Sequence, residues 1–503
     1  MELVEGVLEF LANNIFGEVA ILIGIITLVG LILQRTPVEE TVAGTLRAVI
    51  GVLILFIGVD VFTEGLSSFQ AIVSSAVGLE PPQADNTLGD FLGTHGGSVA
   101  LVIALGFLVH LILVRLFNTR YVYLTGHLLF WIAVVTVASI VEIFGDLGQW
   151  TIVGAASLVV AAYWTLQPLL LAPMMRKVTG SDDFGFAHTS ALAAYLGGKI
   201  GGKAGSYEQH DTEGVRLPQR LSFFKDVNVS TALVIGVIIL VAMVFAEVDV
   251  AQEQAAAYDE DLNRWVWGLI AGLRFAAGIA ILLYGVRMFL AEIVPAFKGI
   301  SEKVIPGSRP ALDAPAVFPF APTAVMLGFI SATAVFLVLM GVFAAIGWFV
   351  LVPPMIMLFF PGAAAGVFGN AFGGWRGAVI GGGINGLFLA FGQAISWGYL
   401  SDTAPELATL ADPDWYLIMV LVMGIGALGA LLGEMGVWLV PVVLLVVFVV
   451  WTMMAKRVGA EPEAEPLSGD SPFDAPDVSR AVRRDGHGDG AQDDDQGDER
   501  SER

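Results

Sequence analysis

Long apolar runs, interrupted by short polar stretches, dominate the chain from residue 16 to residue 455. A helix needs about 20 mainly apolar residues to cross a bilayer. Runs near 16–34, 42–63, 97–117, 122–143, 150–175, 229–247, 265–297, 331–352, 355–374, 377–398 and 415–455 approach or exceed that length. The pattern predicts an all-α polytopic membrane protein of about eleven spans, the last run being long enough for two.

Three further apolar segments do not fit a full span. Residues 65–79 are soon followed by Pro81 and Pro82, and residues 184–198 are short and weakly apolar. Residues 310–329 contain Pro310, Pro315, Pro319 and Pro322. Each proline removes an amide donor and clashes with a preceding carbonyl, so a continuous helix is not expected there. Irregular backbone at membrane depth survives only when buried in protein or lining a wet cavity. Broken segments in corresponding positions of two halves point to a transporter's binding site. Spans one to five and six to ten make two such sets, with 65–79 and 310–329 each following a second span. Five is an odd number, so the second set enters with opposite polarity, which predicts an inverted repeat. This repeat is read from topology alone.

Composition narrows the class. Charged residues make up 14% of the chain, against about 25% in soluble proteins. The 47 acidic and 25 basic residues give a net charge of −22, which excludes a nucleic-acid role needing a basic surface. Cysteine is absent, so disulfides, thiolate nucleophiles and cysteine-ligated metals are excluded. No Walker loop, GxGxxG unit or HExxH motif occurs, and neither a cofactor nor a metal is expected.

Basic residues alternate between connections. Arg35, Arg47, Arg115, Arg120, the 176–225 cluster, Lys298, Lys303, Arg309, Arg376, Lys456 and Arg457 fall on one side, and the other side holds only Arg264. The positive-inside rule then places the N-terminus outside and the C-terminus in the cytoplasm. Glu2 and Glu5 stand where a cleavable leader would be basic. Residues 458–503, rich in Asp, Glu, Gly and Pro, read as a disordered cytoplasmic tail.

Ionisable residues at membrane depth mark a site by default. His127 follows Thr125-Gly126 at the start of a span; it is either an interfacial histidine or a site group. His188, in the broken segment before Thr189, is a loop or a site residue. Asp313, among the prolines, either caps the short helix that follows or faces a ligand. His110 reads as a satisfied structural histidine, Asn370 as a turn former, Glu292 as a partner for Lys298 and Asp226 as a helix cap. Arg274 and Arg287 fall on opposite faces of one span and do not make a single site.

Five blocks carry a resemblance: TGHLLF at 125–130, LPQRLSFFKDVNVSTA at 217–232, YGVRMFLAEIVPAFKGISEKVIPG at 284–307, DAPAVFPFAPTAV at 313–325 and GVFGNAFGGWRGA at 366–378. In this order, over residues 16–455, the chain resembles the membrane subunit IIC of ascorbate-type phosphotransferase systems. The resemblance implies a homodimer in the lipid bilayer, with a V-motif from residues 1–63 and 226–297. It implies a core domain from 64–225 and 298–457 with two re-entrant hairpins, moving like an elevator. A small carbohydrate or sugar acid would enter from outside and be phosphorylated by a separate phospho-IIB protein, itself served by IIA. The family's IIB phosphate rides on cysteine, so here the donor belongs to another chain. Matched residue by residue, the resemblance places substrate on His127, His188 and Asp313, and Thr125 and Thr189 beside the two histidines are expected to bind it as well. Asp313 would also act catalytically, deprotonating the attacking hydroxyl.

The sequence departs from the family pattern at two places. Trp131 and Ile132 stand where the family carries glutamine, and so does Thr189 after the second histidine. Lost glutamines remove paired donor and acceptor groups, which leaves the substrate open, while Trp131 adds a flat apolar face. A secondary transporter or facilitator of the same fold, without phosphorylation, is the alternative. The basic face of Lys298, Lys303, Arg309 and 176–225 suits an acidic phosphoprotein, or is the ordinary positive-inside bias.

Overall fold

A computed structural model describes residues 18–77, 82, 84, 86–145, 147–214 and 227–457. In chain order the helices are α1 (Val19–Leu33), α2 (Val38–Val77), α3 (Leu88–Phe117), α4 (Gly126–Phe144), α5 (Gln149–Thr179), α6 (Ala191–Ala204), α7 (Tyr207–His210) and α8 (Val227–Phe245). They continue with α9 (Val248–Tyr258), α10 (Arg264–Lys303), α11 (Pro322–Ala345), α12 (Met355–Leu400), α13 (Pro405–Thr409), α14 (Pro413–Ala430) and α15 (Leu439–Arg457). Among the described residues, nine helical stretches are long and apolar enough to cross a membrane, and Ala20–Leu33 and Thr231–Phe245 are shorter apolar helices.

Several boundaries differ from the sequence expectation. Residues 65–79 are not broken off: α2 continues to Val77, because no proline interrupts it before Pro81. The proposed counterpart of 310–329 is therefore a helix extension. Residues 310–329 split into strand β3 (Arg309–Leu312), a 3-10 turn over Ala314–Phe320 and the start of α11. Pro322 opens α11 at a first-turn position, where a missing amide hydrogen costs nothing. The run 415–455 divides into α14 and α15 around the 3-10 turn Gly433–Trp438. The 215–226 segment with Asp226, and the 458–503 tail, lie outside the described residues.

Helices α1, α2, α8 and α10 pack on one another, while α6 packs on α12 and α12 on α11. Small residues permit these approaches in lipid, where helices gain little from hydrophobicity alone. In α12 the backbone leaves helical geometry at Gly374 (φ 63°, ψ −153°). A Cβ on Gly369 would stand 2.1 Å from the Gly377 carbonyl oxygen, and one on Gly381 2.1 Å from that of Ala365. The two arms of α12 thus lie back to back as a helical hairpin that no side chain can enter. Across α2 and α10, Glu292 pairs with Arg47 at 2.5 Å; the side chain of Lys298, its expected partner, lies outside the described residues. Asn370, expected as a turn former, instead ties α12 to the segment after α7: its Oδ1 accepts from Thr212 N at 3.1 Å and its Nδ2 donates to Asp211 at 3.0 Å.

The helical expectation missed one element. Strands β1 (Tyr121–Tyr123), β2 (Gly185–Phe186) and β3 form a parallel sheet in the order β1-β3-β2. Tyr123 stands opposite Ala311, and Phe186 opposite Leu312. This small sheet is buried among helices and positions the site.

Candidate substrate site

Each strand delivers one predicted site residue just beyond its C-terminal end. His127 follows β1, His188 follows β2 and Asp313 follows β3 directly. The ends are held in register. Leu124 N donates to Ala311 O at 3.0 Å and Ala187 N to Leu312 O at 2.7 Å. Thr125 Oγ1 donates to Ala187 O at 2.6 Å, which ties the β1 end to the β2 end. His110 is the satisfied structural histidine expected of it: its Nε2 accepts from Tyr123 N at 3.0 Å, and its Nδ1 lies 2.8 Å from Thr165 Oγ1.

The opposite end of the sheet is closed by charge. Arg176 and Arg309 both reach Asp182, at 3.0 and 2.7 Å. Burial pushes the Asp182 carboxyl up, but the Arg309 hydrogen bond and the charges of Arg309 and Arg176 outweigh it and hold the group below its ordinary range.

At the site itself, Asp313 Oδ1 accepts from Ala314 N at 2.7 Å and so caps the 3-10 turn. The cap does not take Asp313 away from the cavity, which it also lines. Its Oδ2 lies 3.7 Å from His127 Nε2 and its Oδ1 3.8 Å from His188 Nε2. Both gaps exceed a hydrogen bond, so the carboxylate stands between two imidazoles without being consumed by either. His188 Nδ1 lies 2.9 Å from Ser190 Oγ, which orients the ring. His127 Nδ1 has no partner among the described residues, so its tautomer is free to follow a ligand.

These three residues line a cavity of about 330 Å³ together with Trp131, Asp412 and Trp415. Trp131 and Trp415 stack with ring centroids 5.4 Å apart at 29°. Leu55, Phe56 and Val59 of α2 close it from the other helix group. Its volume is at the lower end of the roughly 300–1,000 Å³ usual for small-molecule sites. Thr125 and Thr189 do not line it. Thr189 is buried, donates its hydroxyl to Asp412 Oδ2 and accepts Asp414 N on its carbonyl at 2.9 Å. The Asp414 carboxylate then accepts from Leu192 N at 2.8 Å, Ala191 N at 3.1 Å and Tyr163 OH at 2.7 Å. That carboxylate caps α6 from another helix, where a negative charge suits the helix N-terminus.

Sequence reasoning missed Glu406 and Asp412, which lie in the acidic stretch between the runs 377–398 and 415–455, and Trp415, which opens the last run; all three are on the cavity wall. Asp412-Pro413 was a usable signal, being an acidic cap followed by proline at a first helical position.

Residues 14–414 match the family described as "PTS system sugar-specific permease component". The chain belongs to this family of phosphotransferase-system (PTS) membrane proteins. The family match and the nine long apolar helical stretches among the described residues make it a multi-pass membrane protein. It is 29% identical over 425 residues to the "Ascorbate-specific PTS system EIIC component" of Mycoplasma pneumoniae (strain ATCC 29342 / M129 / Subtype 1), covering 73% of this chain and 63% of the relative. The chain thus spans less than two thirds of that relative's own length. In this chain the candidate site brings three carboxyls, Asp313, Glu406 and Asp412, two imidazole rings and two indole rings to one small cavity.

Proposed function

We propose that the protein carries a small carbohydrate or sugar acid across the cytoplasmic membrane, for phosphorylation on the inner face by a separate phospho-IIB protein. The observation that carries this reading is Asp313, standing 3.7 and 3.8 Å from two imidazoles at the mouth of three parallel strands. A substrate hydroxyl fits that gap. It donates to the Asp313 carboxylate and accepts from an imidazole N–H, and the carboxylate is placed to take its proton as the oxygen attacks phosphorus. The new O–P bond replaces the donor's bond to phosphorus, and the proton ends on Asp313.

The proposed working unit is a homodimer with its N-terminus outside and its C-terminus in the cytoplasm. The group α1, α2, α8 and α10 is its fixed V-motif. The remaining described helices form a moving core, with the α12 hairpin and the β2–α6 segment as its re-entrant parts. Support comes from the glycine-tight contacts of α12 and from the cavity's position between Val59 of α2 and the strand ends. The experiment is uptake of labelled sugars and sugar acids in cells expressing the protein, with and without IIA and IIB, scoring the phosphorylated product. Accumulation of unmodified substrate independent of IIB would select the facilitator reading instead.

A further inference from the structure

We propose that Asp412 and Glu406 determine specificity, making the cavity a site for an uncharged polyhydroxylated ligand and turning sugar acids away. The inference rests on the permease reading above and names the substrate class of the same site. The ionisable lining consists of Asp313, Glu406 and Asp412 against His127 and His188, and no lysine or arginine stands among the described lining residues. With Asp313 and Glu406 ionised and the imidazoles neutral, the balance is negative, and an ionised Asp412 adds to it. A low-dielectric surrounding magnifies that repulsion toward an anion.

The carboxyl oxygens also have capacity to spare. Asp412 is the N-cap residue of α14, yet its side chain does not cap that helix. It is buried, takes the Thr189 hydroxyl on Oδ2 and belongs to the cavity lining. Glu406 spends Oε2 on Leu88 N at 2.7 Å. An ionised carboxylate offers about four acceptor sites, so both side chains retain lone pairs for ligand hydroxyls. A polyol supplies O–H donors there, whereas a ligand carboxylate supplies neither donor nor opposite charge. The Trp131 and Trp415 rings offer an apolar face to the C–H side of an uncharged sugar.

The test is equilibrium binding by calorimetry to the full chain in lipid nanodiscs. Each common hexitol is measured against its own hexonate, with ascorbate added to the panel. The best hexitol is expected to bind at least tenfold more tightly than its hexonate and than ascorbate. Asp412→Asn and Glu406→Gln are expected to shrink that ratio by improving acid binding, since each keeps an acceptor oxygen for its protein partner. Unfolding temperature in the nanodisc confirms that each variant is folded, and the wild-type ratio decides alone if one is not. A hexonate or ascorbate binding more tightly than every hexitol would overturn the inference, as would a ratio that neither folded variant moves. Phosphorylated uptake of a sugar acid would overturn it while leaving the permease reading intact. Hexitol uptake without phosphorylation would have the opposite effect.

Discussion

Asp313→Asn separates the cap that the structure shows from the base role proposed for the same side chain. Asp313 caps the 3-10 turn through Ala314 N at 2.7 Å and stands 3.7 and 3.8 Å from the two imidazoles. Asparagine caps about as well as aspartate, whereas alanine costs about 1 kcal/mol of cap energy. The Asn variant is therefore expected to fold and insert like wild type, and Asp313→Ala to lose a little stability. Asparagine cannot accept a proton at neutral pH. Removing a positioned general base typically lowers a rate by about 10²–10⁴-fold, equivalent to roughly 3–5 kcal/mol of barrier. The assay is phosphorylated product formed by membrane vesicles supplied with phospho-IIB, with substrate binding measured in parallel. The expected result is retained binding within about tenfold, with product reduced at least a hundredfold. Near-normal product from a well-inserted Asn variant would refute the base role and leave Asp313 as a cap only.

Other outcomes follow from neighbouring features. Asp414→Ala leaves Tyr163 OH and two α6 amides without their partner; at about 1–3 kcal/mol for each unsatisfied group, it should lower the detergent unfolding temperature by several degrees and cut binding. Gly381→Val drives a side chain into the Ala365 carbonyl, and should abolish folded protein by size-exclusion chromatography, where Val379→Ala does not. The Asp182 carboxyl is held below its ordinary value, so its stabilisation is complete above the unfolded pKa of about 3.9 and fades as pH falls through the lower folded value. Asp182→Asn should therefore narrow the stability difference between pH 7 and pH 3 in thermal unfolding scans. Truncation after residue 460 should leave uptake near wild type, because the acidic segment lacks the apolar content to complete a site; loss of uptake with normal insertion would contradict this.

The apolar runs made most helices readable, since length and hydropathy alone decide what can cross a bilayer. The prolines of 310–322 correctly marked a broken segment, and His127, His188 and Asp313 do converge on one cavity. What could not be read was how they converge. Strands of two to four residues are too short to show an alternating pattern, and their partners are remote in sequence. Residues 65–79 misled because polar serines and nearby prolines imitate a break, while the backbone keeps its helical bonds to Val77. Asp412 was hidden by its neighbours. In an acidic loop, one more carboxyl carries no signal until folding buries it against Thr189.

The order of the sheet has a bearing on biogenesis. β3 is the middle strand, bonded to β1 on one side and β2 on the other, yet it is the last of the three to be synthesised. Until the ribosome delivers residue 312, β1 and β2 have no strand to pair with, however completely the helices around them have inserted. Long-range closure of this kind is entropically slow. A nascent chain stalled before residue 309 should therefore sit in the bilayer with its two histidines unaligned and its pathway unformed. The late strand thus makes membrane insertion of the earlier helices and assembly of the cavity separate events.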